Sequence, residues 1–195
     1  MERDREATEK RLLETIGEMI AEQGFENLGV NAVAAQAGVS KILIYRYFGS
    51  LDGLIAAYIR QHDFWLASSF DFSDTAQIVP AVKEMFRRHM ERLQQDPILR
   101  KLYRWELSSN NEMVKELREQ REKVGLALIK QVCKRTGRPQ QEIAAMSSLV
   151  TASVTYLAML GDYCPVYNGI KIGEKSGWKK MYREVEKLVD KVFSD

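Results

Sequence analysis

The chain has 195 residues, 45% of them hydrophobic, and a formal net charge of +2, enough apolar material for one large or two small domains and too little net charge to give a general affinity for polyanions. No run approaches the roughly 18 apolar residues of a membrane span, and the first residues, MERDREATEKR, are charged where a secretory leader would be apolar, so a cytoplasmic protein without membrane contact is expected. Cys133 and Cys164 lie far apart and lack metal-ligand spacing, so reduced thiols are expected in place of a disulfide or a metal site.

Residues 7 to 23 carry Leu12, Leu13, Ile16, Met19 and Ile20 at helical spacing, and Gly24 closes the pattern before Phe25. Arg3 and Arg5 precede this helix and either reach toward phosphates or a minor groove or form a frayed, solvated terminus. Val30, Val33, Ala34 and Ala37 then recur at i, i+3, i+4 and i+7, which predicts a short helix that must stop at Gly38. Val39 follows as a buried plug, and Ser40 can cap a second helix from Lys41. On that helix Ile44 and Phe48 can pack inward, leaving Lys41, Ile42, Tyr45 and Arg46 on the opposite arc with Leu43 and Tyr47 at its edges.

This is the spacing of a helix-turn-helix, whose second helix enters the major groove N-terminal end first; the alternative is an ordinary helical hairpin. The first 60 residues hold seven Lys or Arg against nine Asp or Glu, but eight of those acids lie at or before Glu26. Residues 27 to 60 set Lys41, Arg46 and Arg60 against Asp52 alone, so positive charge sits on the proposed reading helix. A patch this small makes few phosphate contacts, which argues for two copies acting side by side.

Farther along, Ser50 can cap the next helix, in which Leu54, Ile55, Tyr58, Ile59, Trp65 and Leu66 mark one longer amphipathic element reaching about residue 67. The segment SSFDFSD, 68 to 74, reads as a linker. Beyond it, Ile78, Val82, Phe86, Met90 and Leu93 form a stripe, and Asp96-Pro97 opens a short helix. Asn110 or Asn111 caps another through Met113 and Leu117 to about Arg135. After Gly137 and Pro139, residues 143 to 160 are apolar almost all round, which predicts burial on more than one side. The last helix places Trp178, Met181, Val185, Leu188, Val189 and Val192 on one face. With no strand-like alternation and no repeat, the chain is expected to be all-α, of about nine helices, with a DNA-reading domain at 1–60 and a second helical domain at 68–195. His62 and His89 are isolated and no phosphate loop is present, so neither an enzyme nor a cofactor is expected.

Residues 7 to 60 resemble the DNA-binding domain of the tetracycline-repressor (TetR) family: a helix ending in Gly-Phe, then a pattern like V-x-x-[IV]-A-x-x-A-G-V-S-[KR]-x-x-[ILV]-Y-x-Y-F at Val30 to Phe48. The run GIKIG and the GW that follows, within 169 to 178, look like the C-terminal domains of some members. The resemblance implies a sequence-specific transcriptional regulator, expected to be a repressor, that binds double-stranded DNA at a palindromic operator as a homodimer. Carried onto this chain, the DNA contacts fall on Asn31, Ser40, Lys41, Ile42 and Leu43, and on Tyr45, Arg46 and Tyr47. The resemblance also implies a C-terminal domain whose last two helices form the dimer interface, here Leu149, Val150, Ser153 and Leu157 with Met181, Val185 and Val189. A pocket for a small-molecule effector would draw on Trp65, Phe86, Trp105, Met113, Tyr156 and Met159, although Met and aromatic residues at helical spacing need no ligand to explain them and each is first accounted for as core. The chain departs from the pattern at Gly29, Asn31-Ala32 and Leu51, where capping or phosphate-binding side chains are common in the family, and at Ile42-Leu43, which can touch thymine methyls but cannot hydrogen-bond base edges.

Overall fold

The computed structural model describes residues 2–25, 27–72, 74, 77–109 and 111–194, with Glu2 and Arg3 described by their backbone only. The sequence readings that fall on the Arg3 side chain, on Asn110 and on Ser73 of the linker lie outside the described residues. Ten helices are present among them: α1 (Glu2–Gln23), α2 (Val30–Gln36), α3 (Lys41–Phe48), α4 (Leu51–His62), α5 (Phe64–Ala67), α6 (Ile78–Gln95), α7 (Pro97–Ser108), α8 (Glu112–Thr136), α9 (Gln140–Gly161) and α10 (Lys175–Phe193). The chain divides into two compact units, residues 1–67 with 101–120, and residues 68–100 with 121–195.

In the first unit α1 packs on α2 and α4, and α3 packs on α4. The apolar stripe read in α1 is buried where it meets them: Leu12, Ile16 and Ile20 are sealed together with Val33, Ile44, Leu54 and Ile59. α1 and α4 cross closely, because a Cβ added at Gly17 would come within 2.8 Å of the Tyr58 ring. α1 begins at Glu2, so Arg5 lies within the helix, with its side chain exposed.

The long element expected over Leu54 to Leu66 is interrupted at Asp63, which leaves α5 as a separate turn. The Asp63 Oδ1 accepts hydrogen bonds from the backbone N–H of Trp65 at 2.9 Å and of Leu66 at 3.0 Å, so this carboxylate starts a new helix in competition with continuing the old one. Residues 101–120 join the same unit through specific contacts. Trp105 stacks on Phe25, and the Lys101 Nζ donates to the Ala21 carbonyl at 2.6 Å.

In the second unit α6 packs on α9 and α10, and α9 on α10. Phe86, Met90, Leu93, Val154, Val185 and Val189 fill the space between them. Asp96 caps α7 as its position before Pro97 suggested, its Oδ1 accepting from the Leu99 N–H at 3.0 Å. His89, isolated in the sequence, is buried on the inner side of α6, and burial pushes its pKa from 6.5 down to about 3. The GIKIG run forms a tight turn: Tyr167 and Ile170 exchange backbone hydrogen bonds of 2.9 and 2.8 Å around Asn168-Gly169, both in the left-handed region that a two-residue hairpin loop requires.

α9 corrects one expectation. It is long and apolar enough, by length and composition, to cross a membrane, with mean hydropathy 1.7, yet only a third of that stretch is buried within the chain. One face packs on α6 and α10; the other leaves Leu149 and Tyr156 73% and 53% exposed, so a single chain buries this helix on one side only.

Candidate nucleic-acid interface

Each feature of the segment 29–53 follows from a local residue choice. α2 starts at Gly29, which offers no side-chain cap, so its first turn is closed only by the backbone bond from the Val33 N–H to the Gly29 carbonyl at 2.9 Å. It ends at Gly38, whose φ of +64° is the left-handed conformation a Cβ would disfavour. Val39 turns back and donates its N–H to the Ala34 carbonyl at 3.0 Å; its side chain is half-buried, less deeply than a plug would be. Ser40 Oγ then accepts from the Ile42 N–H at 3.3 Å and starts α3, which stops at Gly49, φ +77°. Ser50 Oγ accepts from the Gly53 N–H at 2.9 Å and starts α4.

Between these stops α3 is held by one fully buried side chain, Ile44, with Phe48 half-buried. The opposite arc faces solvent: Ile42 is 67% and Tyr45 50% exposed, and Lys41 and Arg46 are exposed beside them. Leu43 and Tyr47 are half-buried at the edges, and Asn31 and Ser40 are exposed at the starts of their helices. Two cations, a phenol and an apolar side chain thus project from a helix that carries no acidic residue. An arc of this composition can pair with phosphates, bond base edges and touch thymine methyls. The residues at 12–58 that build it match the profile of bacterial regulatory proteins of the tetR family.

Residues 12–58 are a TetR-family domain. The fold of the whole chain is similar to solved TetR-family regulators at low identity. One from Haloarcula marismortui is 13% identical with a TM-score of 0.67 over 95% of this chain and 98% of that one. Another, from Marinobacter aquaeolei, is 16% identical with a TM-score of 0.63 over the full length of both. The fatty acid degradation regulator FadR of Bacillus halodurans is 17% identical with a TM-score of 0.64 over 93% and 94%. No curated protein matched the chain in sequence.

One further side chain, from before residue 12, lies beside the edge of α3. The Arg5 guanidinium lies 5.3 Å from the centre of the Tyr47 ring, and its Nε donates to Glu9 Oε1 at 2.7 Å. The sequence signal for it was the i, i+4 spacing of Arg5 and Glu9, which identifies the ion pair but says nothing of Tyr47.

Outside that domain, the residues read as a dimer face separate into two groups. Leu149 and Ser153 lie on the open side of α9. Val150, Leu157, Val185 and Val189 are buried in the chain's own core, and Met181 is half-buried, because the apolar stripe of α10 meets α6 and α9 of the same chain. The six residues read as an effector pocket are divided between the two units. Trp65, Trp105 and Met113 belong to the first unit, and Phe86, Tyr156 and Met159 to the second, where Phe86 is sealed in the core and Tyr156 faces solvent. A cleft of about 530 Å³ does open in the second unit, lined by Met90, Arg100, Asp162, Lys175, Trp178 and Tyr182 among others and by none of those six. One wall is fixed by Arg100, whose Nε donates to Asp162 at 3.0 Å and whose Nη1 donates to the Leu93 carbonyl at 2.6 Å.

Proposed function

We propose that this chain is a sequence-specific DNA-binding transcriptional regulator, a repressor that binds a palindromic operator as a homodimer and is released by a small-molecule effector. The observation that carries the reading is the outward arc of α3, Lys41, Ile42, Tyr45 and Arg46, held by the buried Ile44 in a domain of the TetR family. A helix anchored by a single core residue and capped at both ends by serine and glycine presents these side chains with little rotational freedom, which is what reading base edges demands.

Two further observations support the finer parts. The open face of α9, carrying Leu149, Ser153 and Tyr156 with a single charge, Glu142, in its first turn, is the kind of surface that a second copy covers about a two-fold axis. The cleft in the second unit has the size of small-ligand sites, roughly 300–1,000 Å³. A ligand that binds one arrangement of the dimer better than the other shifts the population away from the spacing of ~34 Å that one DNA turn requires.

The test is binding of the full chain to a duplex enriched by its own selection. Tyr45→Ala and Arg46→Ala should each weaken binding by about 5- to 150-fold, the range for loss of a base contact, and leave the oligomeric state unchanged. Unaltered affinity in both variants contradicts the reading.

A further inference from the structure

We infer that the cleft of the second unit takes an amphipathic anion, a small organic acid whose charged head is held by Lys175 and Lys179 and whose apolar body lies against Met90, Leu93, Ile172 and Trp178. The inference rests on the reading of this cleft as a small-ligand site and names the chemistry of the ligand.

The floor of the cleft is apolar. Met90 and Leu93 from α6, Ile172 from the segment before α10 and Trp178 from α10 line it, and all four are buried. The Trp178 Nε1 donates to the Ile172 carbonyl at 2.6 Å, so the one donor of the indole is used and its ring is left as an apolar surface.

The charge around that floor is not balanced. Each acid that lines the cleft already holds a cation: Glu91 accepts from Arg87 at 2.5 Å, Asp162 accepts from Arg100 at 3.0 Å, and Glu174 pairs with Lys171 at 3.2 Å. Lys175 and Lys179 line the same cleft, are exposed, and form no ion pair among the described residues. Other exposed helix cations of this chain stand three or four residues from an acid, as Arg5 does with Glu9, Arg92 with Asp96 and Lys187 with Glu184. Here Lys175, Lys179 and Arg183 follow one another at steps of four, a ladder of like charge that destabilises a helix. Lys175 also opens α10, the end at which the helix dipole favours acids over cations. An anion beside the two lysines offsets both costs, and only an anion with an apolar body also covers the floor.

The experiment titrates the full chain with anilinonaphthalene sulfonate, an anion with an apolar body, and follows the fluorescence of the dye. Octanoate should displace the dye, whereas octanol, octylammonium and inorganic phosphate at the same concentration should not. Lys175→Gln combined with Lys179→Gln should weaken both dye and octanoate by about 3- to 30-fold, the range for two charge contacts near a surface. Without ligand, that double variant should melt no lower than the unaltered chain, because the like-charge steps are gone. Equal dye affinity in the two proteins, displacement by octanol or phosphate as good as by octanoate, or no binding of dye and octanoate at all overturns the inference and leaves the regulator reading in place. Octanoate held through the lysines with no change in affinity for the enriched duplex supports the site and overturns only its role in release from DNA.

Discussion

The indole of Trp105 lies over the ring of Phe25, centroids 4.8 Å apart and planes 17° from parallel. Phe25 is the second residue after the end of α1 and is buried, while Trp105 belongs to α7, so this stack ties the 101–120 segment to the first unit. Offset aromatic pairs add about 0.5–1.5 kcal/mol beyond the area they bury. A double-mutant cycle of Phe25→Leu and Trp105→Leu, followed by urea unfolding, should return a coupling of that size. Simple additivity would mean that the two rings contribute independently.

Two glycines within helices should respond to alanine in opposite directions. A Cβ on Gly53 would stand 1.9 Å from the Phe48 carbonyl oxygen, a rigid backbone atom at the end of α3. Gly53→Ala must push α3 away from α4, costing about 1–3 kcal/mol and weakening DNA binding. Gly125 lies inside α8 with nothing within 4 Å of the added Cβ. Gly125→Ala should therefore stabilise by about 1 kcal/mol through helix propensity. Chemical denaturation of the two variants measures both signs.

Burial pushes the pKa of His89 from 6.5 down to about 3. The unfolded chain gains a proton as pH falls through about 6.5, and the folded chain does not until far lower, so this residue costs nothing above pH 6.5 and lowers stability by up to about 1.4 kcal/mol per unit below it. Between pH 7 and 5 the loss from this residue should reach about 2 kcal/mol. His89→Leu should remove that part of the acid sensitivity, read as a smaller shift of the urea midpoint across the same interval. An identical shift in both proteins would show that His89 does not titrate between the two states.

The two sides of the α9–α10 pair should fail differently. Leu149 is exposed on the open face of α9, whereas Val189 is fully buried between α10 and its neighbours in the same chain. Leu149→Asp should convert dimers to folded monomers, seen as a later elution with a cooperative melt. Val189→Asp should instead unfold the second unit, because an uncompensated carboxylate would sit in its core. A dimer that survives Leu149→Asp removes α9 from the interface.

The local grammar of the reader was legible in the residues themselves. Gly38 and Gly49 stop α2 and α3, Ser40 and Ser50 start α3 and α4, and Ile44 sets which arc turns inward, all within a few residues of one another. What depended on distant chain was not legible. The pattern from Leu54 to Leu66 continues smoothly through Asp63, and only the bonds this carboxylate makes to Trp65 and Leu66 reveal the break. An apolar stripe likewise says that α10 buries one face but not against which partner; Val185 and Val189 meet α6 and α9 of their own chain. Aromatic and methionine positions such as Phe86 and Met113 mark apolar surroundings, and their spacing cannot tell a ligand-lined wall from solid core.

Selection of bound fragments from random duplex DNA, using the full chain, tests the central claim most directly. The account predicts one enriched motif with two-fold symmetry, its half-sites centred about 10 bp or a multiple of that apart, and loss of the enrichment with Arg46→Ala. Recovery of no motif, or of the same motif with and without the Arg46 side chain, would contradict it.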